Sequence, residues 1–233
     1  MKPVKKEHRA RTWFVRTLMV LGILIGLALV FNEQIKLFVI NQMSQSTVQK
    51  LDKKTAKQNQ KKPATFNFSA VKALDVQTVT HAAVNRSNNV HPIGKLAVPS
   101  VSMSLPILKG LANDNLSVGA GTMKADQEMG VGNYALAGHY MTNQGILFSP
   151  LKQVSEGDKI YLTDMQRVFT YRVTAKKTIS ETQVQWIDDV PDKKLVTLIT
   201  CASPTEGEVN RIVVQGELIN TTQATDAALE VFK

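Results

Sequence analysis

The chain of 233 residues has a single cysteine, Cys201, which closes the run TLITC. A thiolate is a strong nucleophile, but a free thiol has a pKa of about 8.5 and needs a cationic or proton-accepting neighbour at neutral pH. Attack on an amide also needs an acid for the leaving amine and a donor for the oxyanion. There are four histidines. His8 lies in a basic N-terminal segment, and His81 and His91 lie in or at the edge of a polar stretch. His139 differs from these because it ends the apolar run NYALAGH, just after a glycine. Arg211 opens the run RIVVQGEL, ten residues after the cysteine. Together these three side chains make a workable set. Cys201 would attack a carbonyl and form a thioester, and His139 would protonate the leaving amine. Arg211 would hold the oxyanion or a substrate carbonyl by charge-assisted hydrogen bonds. Each residue also has a plainer reading: a small buried hydrophobe for Cys201, a strand-end surface histidine for His139 and a solvated edge arginine for Arg211.

These residues have to be positioned by strands. From about residue 93 the chain runs IGKLAVP, MSLPIL, NYALAG, KIYLT, RVFTYRVTAKKTI, KLVTLITC and RIVVQGELI, with turn residues between them. VFTYRV alternates, as a strand with one buried face does, whereas LVTLIT and IVV are apolar on both faces and belong in the middle of a sheet. Short helices are expected only near 113–118 and 147–154. So many strands with so little helix predict an all-β domain, either a barrel or a sandwich. Cys201 falls where the apolar run gives way to ASPTEGEVN. If residues 202–210 form a hairpin loop, Arg211 returns beside Cys201, with opposed Cα atoms about 4.5–5.5 Å apart.

The N-terminal part has a different composition. Residues 17–31, TLMVLGILIGLALVF, carry no charge. Extending the run back to Trp13 gives a helix of about 28 Å at 1.5 Å per residue, close to the thickness of a bilayer core. A cleaved signal peptide has an apolar region of similar length, but NEQIK follows with no small-x-small cleavage site. The segment is therefore read as a retained anchor, with the basic segment 1–16 in the cytoplasm and the rest outside. Residues 32–90, rich in Gln, Lys, Asn, Thr and Ser, read as a polar stalk, in which a weak amphipathic helix could form around 35–51. The formal charge of +9 resides in these parts: 1–16 and 32–62 each carry a net +5, and 63–233 a net −1. A nearly neutral domain of this kind argues against nucleic acid as a partner.

With these residues in view, the chain resembles the class A sortases, the housekeeping cysteine transpeptidases of Gram-positive bacterial surfaces. TLITC fits the TLxTC signature of that family, LAGH its histidine strand and NRIVV its arginine segment. GAGTMKADQEMGVGNYALAGH and LFSPLKQVSEGDKIYL are similar to family members as well. The likeness covers roughly 90–220, together with the anchor-and-stalk layout. It implies a closed eight-stranded β-barrel with one or two short helices over 91–220, and a tail at 221–233 that either lies on the barrel as a short helix or frays. It implies cleavage of an LPxTG-type sorting signal between Thr and Gly through a thioester on Cys201. An amine of the cell-wall precursor lipid II, or of peptidoglycan, then resolves the thioester. In this resemblance Cys201 is the nucleophile, His139 the general acid/base, Arg211 the third catalytic residue, and Ala137 and Thr200 line the peptide groove. The partners implied are LPxTG-bearing surface proteins and the cell membrane. No cofactor is signalled. Some family members bind calcium near the groove, but here 111–117 holds only Asp114, with Asp188, Asp189 and Asp192 in a distant segment, so no metal requirement is expected. Two rival readings stand beside it: a membrane-anchored cysteine hydrolase that uses the same three residues with water as acceptor, and a non-catalytic barrel that binds wall polymers or a partner protein, in which the three are packing or surface residues.

Overall fold

A computed structural model describes residues 5–84, 90–143 and 145–233. The chain divides into two compact units, Met1–Phe38 and Val39–Lys233. The first contains helix α1 (Lys5–Val30) and the start of α2 (Asn32–Lys50). Thr12–Val30 is long and apolar enough to cross a membrane. Its large side chains, from Trp13 through Leu18, Ile23 and Leu29, are exposed.

The second unit is built on a closed barrel. Its strands are β1 (Pro92–Val98), β2 (Met103–Leu108), β3 (Ala120–Thr122), β4 (Asn133–Ala137), β5 (Lys159–Thr163), β6 (Arg167–Ser180), β7 (Leu195–Cys201) and β8 (Asn210–Gln223). Around the barrel they run β1-β2-β3-β4-β7-β8-β6-β5 and close back onto β1. The eight-stranded expectation is met. Two neighbouring pairs, β2·β3 and β4·β7, are parallel, and the remaining pairs are antiparallel. Alternate residues point inward: Leu96, Val98, Leu105, Ile107, Leu136, Ile160, Leu162, Phe169, Tyr171, Leu198 and Val214 fill the interior, each 4% exposed or less. Burying such side chains is worth about 1.5–3 kcal/mol apiece before entropy is counted. Both faces of residues 195–198 are buried, as expected for a central strand.

Strand β3 is absent from the sequence reading. It has three residues, Ala-Gly-Thr, with poor strand propensity, and it exists because β2 and β4 pair with it on either side. Helix α5 (Asn113–Leu116) and a 3₁₀ turn over Ser149–Gln153 occupy the two places where short helices are expected. At the C-terminus, α6 (Asp226–Leu229) and a final 3₁₀ turn seat Phe232, 1% exposed, in a cluster with Ala97 and Val168. The tail therefore lies on the barrel.

The stalk expectation needs correction from residue 39 onward. Ile40, Met43, Ser44, Thr47 and Val48 form one buried stripe of α2, and Leu51 continues it. Their three- and four-residue spacing is that of one helix face. Asp52 caps α3 (Lys53–Asn59), its carboxylate accepting the Thr55 N–H at 2.7 Å. Asn59 Nδ2 donates to the Pro92 carbonyl at 2.9 Å, tying α3 to β1. Helix α4 (Val76–Val84) buries Val79 and Ala82, and its His81 pairs with Asp114 of α5 at 3.0 Å. The segment is polar in composition, yet the apolar residues on one side of α2, with Leu51, Ala56, Val79 and Ala82, are buried, while Phe68 and Val84 are exposed.

Candidate active site

Strand register pairs two of the three candidate residues. Cys201, the last residue of β7, is paired directly with Arg211 on β8. On the other side of β7, the parallel ladder with β4 pairs Ala137 with Ile199 and continues as Gly138 N–H bonding the Ile199 carbonyl at 3.2 Å. His139 follows two residues after the end of β4, as Cys201 follows two residues after Ile199. Cys201 and Arg211 lie on adjacent strands at one rim of the barrel. Gly138 is needed here because a Cβ at this position would lie 2.6 Å from the Phe148 ring. The Phe148 N–H in turn holds the His139 carbonyl at 3.0 Å. The close approach allowed by the glycine is thus made by Phe148.

Strand alternation separates the two groove candidates. Ala137 is on the same face as Cys201 and packs with Ile199, Ile187 and Val71 around buried Leu111, Leu116, Met123 and Ala135. Thr200 is on the opposite face, 2% exposed, and its hydroxyl is buried without a hydrogen-bond partner. Thr200 is therefore not part of the outer face that carries the sulfur. A one-residue step along a strand reverses the direction of the side chain, and the pentapeptide motif does not indicate which face is which.

The same geometry has relatives. A sortase domain family matches residues 96–219. Sortase A of Streptococcus agalactiae serotype III is 39% identical over 100% of this chain and 96% of its own length. Sortase A of Listeria monocytogenes serovar 1/2a is 42% identical over 90% of this chain and 94% of its own. The chain belongs to the sortase family. The crystal structure of Listeria monocytogenes sortase A superposes with a TM-score of 0.58 at 46% identity, covering 60% of this chain and 97% of that one. This sortase is a cysteine transpeptidase of the A type, and its sequence holds one cysteine.

The electrostatics of the candidate sortase site favour uncharged partners at rest. Burial pushes the Cys201 thiol above its ordinary range; Arg211 pulls it back, and Glu208 and Glu181 push it up again. Burial holds His139 down to about 4. Its Nε2 is enclosed without a hydrogen-bond partner, although the ring as a whole is only half-buried. An unfolded histidine titrates near 6.5, so His139 contributes stability above that pH that is lost as the pH falls toward 4. For the thiol the expected result is that alkylation of Cys201 by iodoacetamide climbs about tenfold per pH unit from 7 to 9. A plateau below pH 8 would show a thiolate already formed and contradict this resting state.

The loop after β7 is folded onto Arg211. Ala202 N–H donates to the Asn210 carbonyl at 3.0 Å, and Ser203 Oγ donates to the Glu208 carboxylate at 2.7 Å. Asn210 N–H reaches the other Glu208 oxygen at 2.8 Å. Arg211 Nη1 bonds the Glu208 and Asn210 carbonyls, and Nη2 bonds Glu181.

Sequence reasoning missed a polar network further down the same strands. Asn133 on β4 is 1% exposed, and its Oδ1 accepts the Thr197 hydroxyl of β7 at 2.7 Å. Thr197 Oγ1 in turn accepts from Gln215 of β8 at 2.9 Å. The Asn133 amide donates to the carbonyls of Trp186 and Asp188, and Asp189 accepts the Asn133 N–H at 2.8 Å and Lys124 Nζ at 2.6 Å. This satisfied network ties the loop between β6 and β7 to β4, β7 and β8, near the candidate site. Its one trace in the sequence is an asparagine at the head of an apolar strand. Among the described residues, no three His, Cys, Asp or Glu side chains are grouped to hold a metal ion. His81 is engaged with Asp114, and His91 lies 3.1 Å from Lys62 Nζ.

Proposed function

We propose that this sortase cleaves LPxTG-type sorting signals between Thr and Gly and joins the product to an amine of lipid II, with Cys201, His139 and Arg211 carrying the reaction. The observation that supports this most is the direct pairing of Cys201 with Arg211 across β7 and β8, with His139 two residues beyond the Ala137–Ile199 pair of β4 and β7. In the reactive form the thiolate and imidazolium are a minority of the resting pair, since Cys201 is held up and His139 down. The Cys201 sulfur adds to the Thr carbonyl carbon, and the oxyanion formed is met by Arg211 N–H groups. His139 gives its proton to the Gly nitrogen as the C–N bond breaks, leaving a thioester. The incoming amine attacks the thioester carbonyl and loses a proton to His139. The sulfur then leaves and the new amide is released. His139 Nε2 is enclosed in the free enzyme, so its cover has to open before the ring reaches the leaving nitrogen.

Ala137, with Ile199 and Ile187, supplies an apolar floor beside the sulfur for the Leu-Pro part of the signal. Helix α1 would hold the enzyme in the membrane as a single span, with the basic residues before it on the cytoplasmic side and the barrel outside, where lipid-linked acceptors are found. The test is to give the full chain, in detergent micelles, an LPxTG peptide with and without triglycine. Product should rise with the amine and carry its mass. A product that is always the free acid, at a rate indifferent to the amine, would make the enzyme a hydrolase.

A further inference from the structure

Arg211 is held from two directions. Its Nη1 donates to the carbonyls of Glu208 and Asn210 in the β7–β8 loop, and its Nη2 donates to Glu181 Oε2 at 2.5 Å. Glu181 directly follows β6, whose last pairs are Ile179 with Arg211 and Ser180 with Asn210. The Glu181 N–H donates to the Val209 carbonyl at 2.8 Å. The carboxylate therefore sits on a fixed stretch of backbone, two residues beyond the partner of the arginine. The Glu181 side chain is 46% exposed and that of Arg211 23%, so the pair adds little to stability. It does settle orientation. The guanidinium is a rigid planar fork, and fixing both terminal nitrogens fixes its plane. Nε–H and the second Nη2–H then remain for a substrate carbonyl or an oxyanion.

We propose that Glu181 is a positioning residue for Arg211: its carboxylate holds the guanidinium plane beside Cys201 and offsets part of its charge. The arginine can then receive an oxyanion without turning the resting thiol into a standing thiolate. This rests on the reading that Arg211 acts in the reaction. The charged groups that act on the sulfur are Arg211 from β8, Glu208 from the loop and Glu181 after β6. Among them Arg211 favours the thiolate, and Glu208 and Glu181 oppose it.

The test compares native full chain, Glu181→Gln and Arg211→Lys in detergent micelles. One readout is kcat/KM for an LPxTG peptide with triglycine, and the other is the pH dependence of Cys201 alkylation by iodoacetamide. Glu181→Gln keeps the shape and removes the charge. It should lower kcat/KM about tenfold, through loss of orientation. It should also move the alkylation profile about half a pH unit toward acid, because one anion near the sulfur is gone. A glutamate that acts by its charge alone would move that profile and leave kcat/KM at the native value, which would overturn the positioning role. If Arg211→Lys is crippled while Glu181→Gln matches the native chain in both readouts, the positioning role is overturned and the role of Arg211 stands. If Arg211→Lys turns over normally, the arginine is dispensable and the proposal falls with it.

Discussion

Replacing Cys201 with alanine should lower kcat/KM for an LPxTG peptide by about 10⁴-fold or more, since the step it removes is bond formation itself. No second thiol exists to take over. The nearest hydroxyl in the following loop, that of Ser203, is committed to Glu208 at 2.7 Å. Thr200 faces the barrel interior with its hydroxyl buried. The fold should tolerate the change: the sulfur is half-buried at a strand end, and losing it should cost about 1 kcal/mol or less of stability. Steady-state turnover and a thermal melt on the same preparation separate the two effects. Activity within tenfold of native would remove the cysteine from the mechanism.

Arg211→Lys should cut kcat about 10²-fold, the usual cost of one lost oxyanion donor, with a smaller change in KM. A lysine keeps the charge but not the geometry. The guanidinium reaches two loop carbonyls through Nη1 and Glu181 through Nη2 at once, and it still has N–H groups to offer. An ammonium on a flexible stem has three donors around one point and cannot span those partners while also facing the sulfur. Kinetics across a range of peptide concentrations decides it: a rise in KM alone, with kcat preserved, would make Arg211 a binding residue and not a stabiliser of the transition state.

One pairing in the candidate site was legible in the sequence. Cys201, His139 and Arg211 each end or begin an apolar run, and a hairpin between the last two runs was enough to predict the Cys201–Arg211 pairing that the register contains. The position of His139 depends on a parallel pairing between strands more than fifty residues apart, and no local pattern encodes that. Thr200 was misplaced for a related reason: membership of a motif says nothing about which face of a strand a residue takes. Two features were hidden because tertiary context overrides their composition, and the helix legible around 35–51 gave no sign of its burial. Strand β3 is too short and too rich in small residues to be read as a strand. The stripe from Ile40 to Leu51 is diluted by glutamine, serine and lysine. Asn133 spends its polar groups on backbone carbonyls and Thr197, partners that exist only once the barrel has closed. Glu181 was invisible because an exposed glutamate at a strand end has no signature until its arginine is seen beside it.

The central claim, that the Cys201 sulfur takes the acyl group at this rim of the barrel, is tested most directly by intact mass. Full chain in micelles, given an LPxTG peptide and no amine, should gain the mass of the peptide up to its Thr residue. Digestion should place that mass on Cys201, and triglycine should discharge it. Peptide cleavage that proceeds with no adduct at Cys201, or with an adduct at another residue, would contradict the account.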